Sequence, residues 1–253
     1  MMDEGPVDGI SVYEHAEEAL LRYLEFALEH ATTVKDVWRI LNVELAINNL
    51  ELSNKDELLQ LCSEITKQSI WRDKIMSAIA CPEDNNFFYA NNVASRLEID
   101  VTEQVFDAIK KDPIKNYSYV AKVYRTPEYA KELTALYEKV LPLDEMASGM
   151  GDYLFSPTHM QELSCLDFVL QELQNYPLLG EPLVIASLLS PVIRNRNGAC
   201  KVINAWSILL SQPVAEFSPT LFDTLKSVCA KEVNPETEKR MSHLIAGDII
   251  NDA

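Results

Sequence analysis

Apolar residues recur three and four positions apart through most of the chain, and no alternation of apolar and polar residues runs beyond a few positions. That period predicts helices. The first is marked by Ala16, Leu20, Leu24, Ala27, Leu28 and Ala31, with Ser11 and Glu14 spaced as a capping box at its start. Glu14, Glu17, Glu18, Glu25 and Glu29 fill its other side and read as a solvated face. A second helix is predicted from Val34 to Leu50, its stripe made by Val34, Trp38, Leu41 and Leu45. Shorter ones follow at Lys55 to Thr66 and Ile70 to Ala80, and Cys81-Pro82 stops the pattern.

Beyond that stop the spacing settles into helix pairs. Phe87, Ala90, Ala94 and Leu97 form one stripe, and Asp100 with Glu103, a second capping box, opens a helix with Val101, Val105, Phe106 and Ile109. Tyr117 to Tyr124 makes a short helix and Tyr129 to Val140 a longer one. Thr126-Pro127, Ser156-Pro157, Ser218-Pro219 and Asn234-Pro235 each place a polar residue and then proline at a predicted helix start. The polar side chain can accept from a free helix N–H, and proline lacks only an N–H that would be unpaired there. The stretch from Gly180 to Trp206 reads as an apolar helix, a Ser190-Pro191 break, a polar Arg194-Asn195-Arg196-Asn197 corner and a second apolar helix packed through Ala199 and Trp206. Phe106 to Lys110 echoes Phe222 to Lys226, and a helix pair every 30 to 45 residues or so is the spacing of a helical repeat array. Gly149 and Gly151, in the loop from Met146 to Phe155, form a Gly-x-Gly that no predicted strand precedes. The loop therefore reads as a connection between repeats, not as a dinucleotide-binding turn.

The run Arg196-x-x-Ala199-x-x-Val202-Ile203 resembles the second-helix signature of HEAT repeats, and Ser190-Pro191-Val192-Ile193 resembles the turn leading into it. Asn195 stands where many HEAT repeats carry valine. More broadly, Tyr137 to Trp206 is similar to bacterial HEAT-like proteins of unassigned function. The matching residues are Leu141-Pro142-Leu143-Asp144, Ser148-Gly149, Ser190 to Asn197 and Ala205-Trp206. The resemblance extends over Phe87 to Ile245. It implies an all-α superhelix, a stack of helix pairs whose concave surface binds a partner. On this reading residues 1–68 are a helical N-terminal cap and residues 69–253 form one continuous domain of HEAT-like repeats.

Composition narrows the function. The 22 Lys and Arg against 39 Asp and Glu leave a net charge of −17. Such a balance opposes binding to a nucleic-acid backbone, which needs a concentrated basic face, and to anionic lipid. No apolar run reaches the roughly 18 residues of a membrane span. The acidic N-terminal MMDEGPVDG has neither the basic nor the apolar region of a secretory signal. The five cysteines, Cys62, Cys81, Cys165, Cys200 and Cys229, are odd in number and dispersed in apolar helical patterns, as small buried hydrophobes are. Together these features lead us to expect a cytoplasmic protein without a disulfide framework.

No motif defines a catalytic residue, a cofactor or a metal site: His15, His30, His159 and His243 have no ligand spacing, and there is no Cys-x-x-Cys, P-loop or nucleophile elbow. The best polar constellation is Arg194, Asn195, Arg196 and Asn197. At a helix N-terminus these residues can hold a carboxylate or phosphate. The structural alternative is that one arginine pairs with an acidic side chain of the next repeat while the asparagines cap the helix. We therefore expect a non-enzymatic scaffold or adaptor that binds another protein, one with a basic surface. Two alternatives stand beside it: a HEAT-like enzyme such as a DNA alkylation-repair-type glycosylase, and an acidic immunity or inhibitor protein that neutralises a basic toxin. The first alternative needs a basic groove. Fluorescence anisotropy with a random DNA duplex at physiological salt is accordingly expected to detect no binding; micromolar, salt-sensitive binding would favour the enzyme.

Overall fold

The computed structural model describes residues 9–81, 86–149, 151 and 159–248. Every regular element among them is helical. The chain divides into two compact units, Met1–Gln104 and Val105–Ala253; residue 68, where the cap was expected to end, lies inside the first. No helix among the described residues is long and apolar enough to cross a membrane.

The first unit contains α1 (Gly9–His30), α2 (Val34–Asn48), α3 (Lys55–Thr66), α4 (Ile70–Ile79) and α5 (Asn86–Arg96), and α6 (Thr102–Lys111) begins within it. Helix α2 is its centre and packs against α3, α4 and α5, while α1 lies on α3. Thr33 and Asp36 close a reciprocal capping box at the start of α2. The buried face of α2 is Val34, Val37, Ile40, Leu41 and Ile47. This corrects the expected stripe: Leu45 is 53% exposed, and Trp38 sits at the rim against Phe88 and Tyr89 of α5. Apolar residues occur all round α2, so its neighbours, not its period, select the face. Trp71 fills the interior beside Ile75 and Ile79 and donates its indole N–H to the Ile65 carbonyl at 2.6 Å.

Two further expectations about caps need revision. Ser11 lies inside α1, which already includes Gly9, so it is not the residue preceding the helix. Asp100 accepts the N–H of Thr102 at 2.9 Å, but α6 starts at Thr102, so Val101 and not Asp100 is the residue preceding the helix.

The second unit holds a 3-10 turn (Tyr117–Tyr119), α7 (Val120–Val123), α8 (Pro127–Val140), α9 (Leu143–Met146), α10 (Met160–Leu173), α11 (Glu181–Leu188), α12 (Ile193–Leu210), α13 (Val214–Phe217), α14 (Pro219–Cys229) and α15 (Pro235–Ala246). Proline opens α8, α14 and α15, as expected. Ser218 and Asn234 accept the N–H three residues on, whereas Thr126 makes no side-chain cap. Ser156-Pro157 and half of the Met146–Phe155 loop, Tyr153 and Phe155 included, fall outside the described residues.

Helix α12 is the axis of this unit and packs against α10, α11 and α15. Gly198 lets α10 approach: a Cβ there would meet Leu170 Cδ1 at 3.1 Å. Gly180, at φ +74°, turns the chain into α11 in the left-handed region, and a Cβ would meet Leu173 and Thr134 side-chain carbons at 2.9 Å. Ala199 and Trp206 are fully buried on α12. The indole N–H of Trp206 donates to the Leu173 carbonyl at 2.7 Å, and its ring meets Phe217 edge-on. Trp206→Ala is expected to lower stability by about 3–5 kcal/mol, the range for emptying a large aromatic site. Urea denaturation measures it; a loss under about 1 kcal/mol would contradict the packing described.

Candidate functional site

The Arg/Asn run lies within α12. The helix starts at Ile193 after an extended Val192, so residues 194 to 197 are its second to fifth residues. A residue inside the helix has helical dihedrals and cannot be its N-cap. The expected capping by the asparagines is therefore corrected: Val192 holds that position and offers no side-chain acceptor. Successive helical residues point about 100° apart, so the four side chains leave in different directions and reach different neighbours.

Arg196 is completely buried. Its Nε donates to Glu232 Oε2 at 2.7 Å and its Nη2 to Glu232 Oε1 at 2.8 Å, a bidentate pair. The remaining terminal nitrogen, Nη1, donates to the Ser190 carbonyl at 2.8 Å. The Glu232 side chain is also fully enclosed, and its Oε1 accepts the backbone N–H of Val233 and Asn234 at 3.0 Å each. The pair thus holds the turn before α12 and the turn before α15 together.

Arg194 points toward α10. Its Nε lies 2.8 Å from Asp167 Oδ2, with the arginine side chain 42% exposed. Burial pushes the Asp167 carboxyl above the usual range, and the Arg194 charge only partly opposes this. Asn195 is buried; it donates to the Leu163 carbonyl at 2.9 Å and accepts from Ser190 Oγ at 3.4 Å. Asn197 accepts from Thr237 Oγ1 of α15 at 3.3 Å. Arg194 and Asn195 therefore tie α12 to α10, and Arg196 and Asn197 tie it toward α15. Arg196 is closed to any anion arriving from solvent.

Sequence reasoning missed the partners. Glu232, Asp167 and Thr237 lie 36, 27 and 40 residues from their mates in a chain rich in carboxylates. The only local hint at Glu232 is its place just before the Asn234-Pro235 cap. A second buried polar group was also missed. The Tyr124 and Thr134 hydroxyls meet at 2.9 Å, Tyr137 donates to the Pro113 carbonyl at 3.2 Å, and Tyr176 donates to the Tyr124 carbonyl. Burial pushes the Tyr124 and Tyr137 hydroxyls far above their ordinary range, so both are neutral hydrogen-bonding groups.

Of the cysteines, Cys62, Cys165 and Cys200 are buried, Cys229 is half-buried and Cys81 is exposed, which corrects the expectation that all five lie in the interior. Cys81 follows α4, beyond the reach of its apolar face. Burial pushes the Cys62 thiol up to about 11 and those of Cys165 and Cys200 up to about 12, keeping them protonated and unreactive. Among the described residues, no group of three or more His, Cys, Asp or Glu is placed to hold a metal ion. His159 lies 3.1 Å from Glu145 and His243 3.1 Å from Asp248.

Arg196→Gln is expected to cost about 3–5 kcal/mol, because it strands the buried Glu232 charge. Arg196→Met combined with Glu232→Leu is expected to recover part of that loss: both charges leave the interior, but the Ser190 carbonyl and the Val233 and Asn234 N–H groups lose their partners. Arg194→Gln, at a half-exposed pair, is expected to cost no more than about 1 kcal/mol. Denaturant midpoints of the four proteins decide this, and equal losses for the two single arginine variants would refute the assignment. Comparison with protein-family models, curated proteins and solved structures finds no match to the chain.

Proposed function

We propose that the chain is a HEAT-like, non-enzymatic scaffold or adaptor that binds another protein, and that this partner presents a basic surface. The observation that carries the reading is the uneven distribution of charge. The first unit holds 20 Asp and Glu against 8 Lys and Arg, a net of −12, while the second holds 19 against 14, a net of −5. Solubility alone requires no such segregation. A field of one sign concentrated on one unit steers a partner of the opposite sign and speeds its association. The Arg194 to Asn197 run supports the reading in another way: its side chains join helices, which suits a framework that holds its shape. On this reading the protein works in a reducing compartment such as the cytoplasm, consistent with its free cysteines.

The test is affinity capture on the immobilised full chain at low ionic strength, followed by salt elution and sizing of the complex. The expected result is a stoichiometric partner with an isoelectric point above neutrality, released as salt rises. Failure to retain any stoichiometric protein, or retention of an acidic one insensitive to salt, would sink the proposal.

A further inference from the structure

We propose that the outward face of α1 is the docking surface for a basic amphipathic helix of the partner. This deepens the adaptor reading and rests on it.

Helix α1 carries an apolar stripe and an aromatic one. One, with Leu24 and Ala27 buried and Leu20 and Leu28 partly so, faces the unit's interior, where α1 packs on α3. The other is Ala19, Tyr23, Phe26 and His30, spaced four, three and four apart, so these residues lie above one another on one side of the helix. Solvent meets this second stripe: Phe26 is 61% exposed and Tyr23 39%. Its far end is already ordered. The His30 ring stacks on Phe26 at 4.1 Å and 7°, and its Nδ1 bonds the Phe26 carbonyl at 2.9 Å. A single exposed apolar residue needs no explanation, but a stripe at alternating three and four spacing over three turns is the seam pattern of helix pairing. The helix is also fixed in place. Glu17 accepts the backbone N–H of Ser53 at 2.8 Å and the Ser53 hydroxyl, which anchors α1 to the loop before α3.

The rim of the stripe selects the occupant. Glu18, Glu25 and Glu29 run along its solvent side, with Arg22 the one cation among them. Arg22 ion-pairs with Glu18 at 2.5 Å, while Glu25 and Glu29 have no ion pair among the described residues. A second copy of this chain would bring the same acidic rim against itself, and an anionic lipid surface would be repelled. A helix with leucines on one face and lysines or arginines beside them would bury the aromatic stripe and neutralise the rim.

The probe is a pair of synthetic amphipathic peptides about five helical turns long. They share one leucine face and carry lysine or glutamate at all other positions. Binding to the full chain is measured by calorimetry and mapped by amide chemical shifts. The lysine peptide is expected to bind, to perturb α1, and to lose about tenfold or more in affinity on Tyr23→Ala with Phe26→Ala, which leaves every charge in place. Glu25→Lys with Glu29→Lys is expected to weaken it as well, and the glutamate peptide is expected not to bind. The inference is overturned if the lysine peptide fails to bind, if both peptides bind alike, if the double alanine variant binds unchanged, or if the shifts map elsewhere on wild type. A dimer in sedimentation that Tyr23→Ala with Phe26→Ala dissociates would put a second copy on the stripe and also overturn it. If the adaptor captures its partner equally well through the double alanine variant, this inference falls while the adaptor reading survives.

Discussion

A guanidinium removed from water must have its charge matched and its donors satisfied. Arg196 meets that demand with Glu232 and the Ser190 carbonyl, and the demand organises much of the second unit. Ser190 belongs to the break between α11 and α12, and Glu232 to the turn between α14 and α15. One side chain therefore sets the position of two loops relative to α12. Glu232 in turn accepts two backbone N–H groups of its own turn, so the loop into α15 is shaped around the same carboxylate. Apolar side chains of similar volume can fill such a space as favourably, but they impose no direction. The ion pair imposes one, as do the neighbouring Asn195 bond to α10 and the Asn197 bond to α15.

The same unit uses hydroxyl groups for a related purpose. Tyr124, Thr134, Tyr137 and Tyr176 connect the α7–α8 turn with α8, the Pro113 loop and the segment after α10. A buried polar network that is fully satisfied restricts the core to one arrangement. The polar groups of this interior are thus engaged with one another. The surface features that suggest recognition lie in the other unit, in its acid excess and in the aromatic stripe on α1.

Much of the helix content was legible in the chain because it rests on local rules. The three-and-four spacing of apolar residues and the proline starts at Pro127, Pro219 and Pro235 act through backbone geometry within one or two turns. They hold wherever the helix is later placed. Local rules failed where more than one choice satisfied them. In α2, apolar residues surround the helix, so Leu45 and Val37 were equally good candidates for the core until α3, α4 and α5 took their places.

The polar corner shows the same division more sharply. The sequence by itself determined that two arginines and two asparagines stand at the head of a helix. It also determined the −17 charge against which any partner must be chosen. It did not determine which carboxylate, among 39 acidic residues, would enter the interior with Arg196. Only the tertiary structure decided that, because a pairing across 36 residues depends on which helices come together and which side chains lose water when they do. Glu232 is identical in the sequence to any exposed glutamate, and its burial beside Arg196 is what sets it apart.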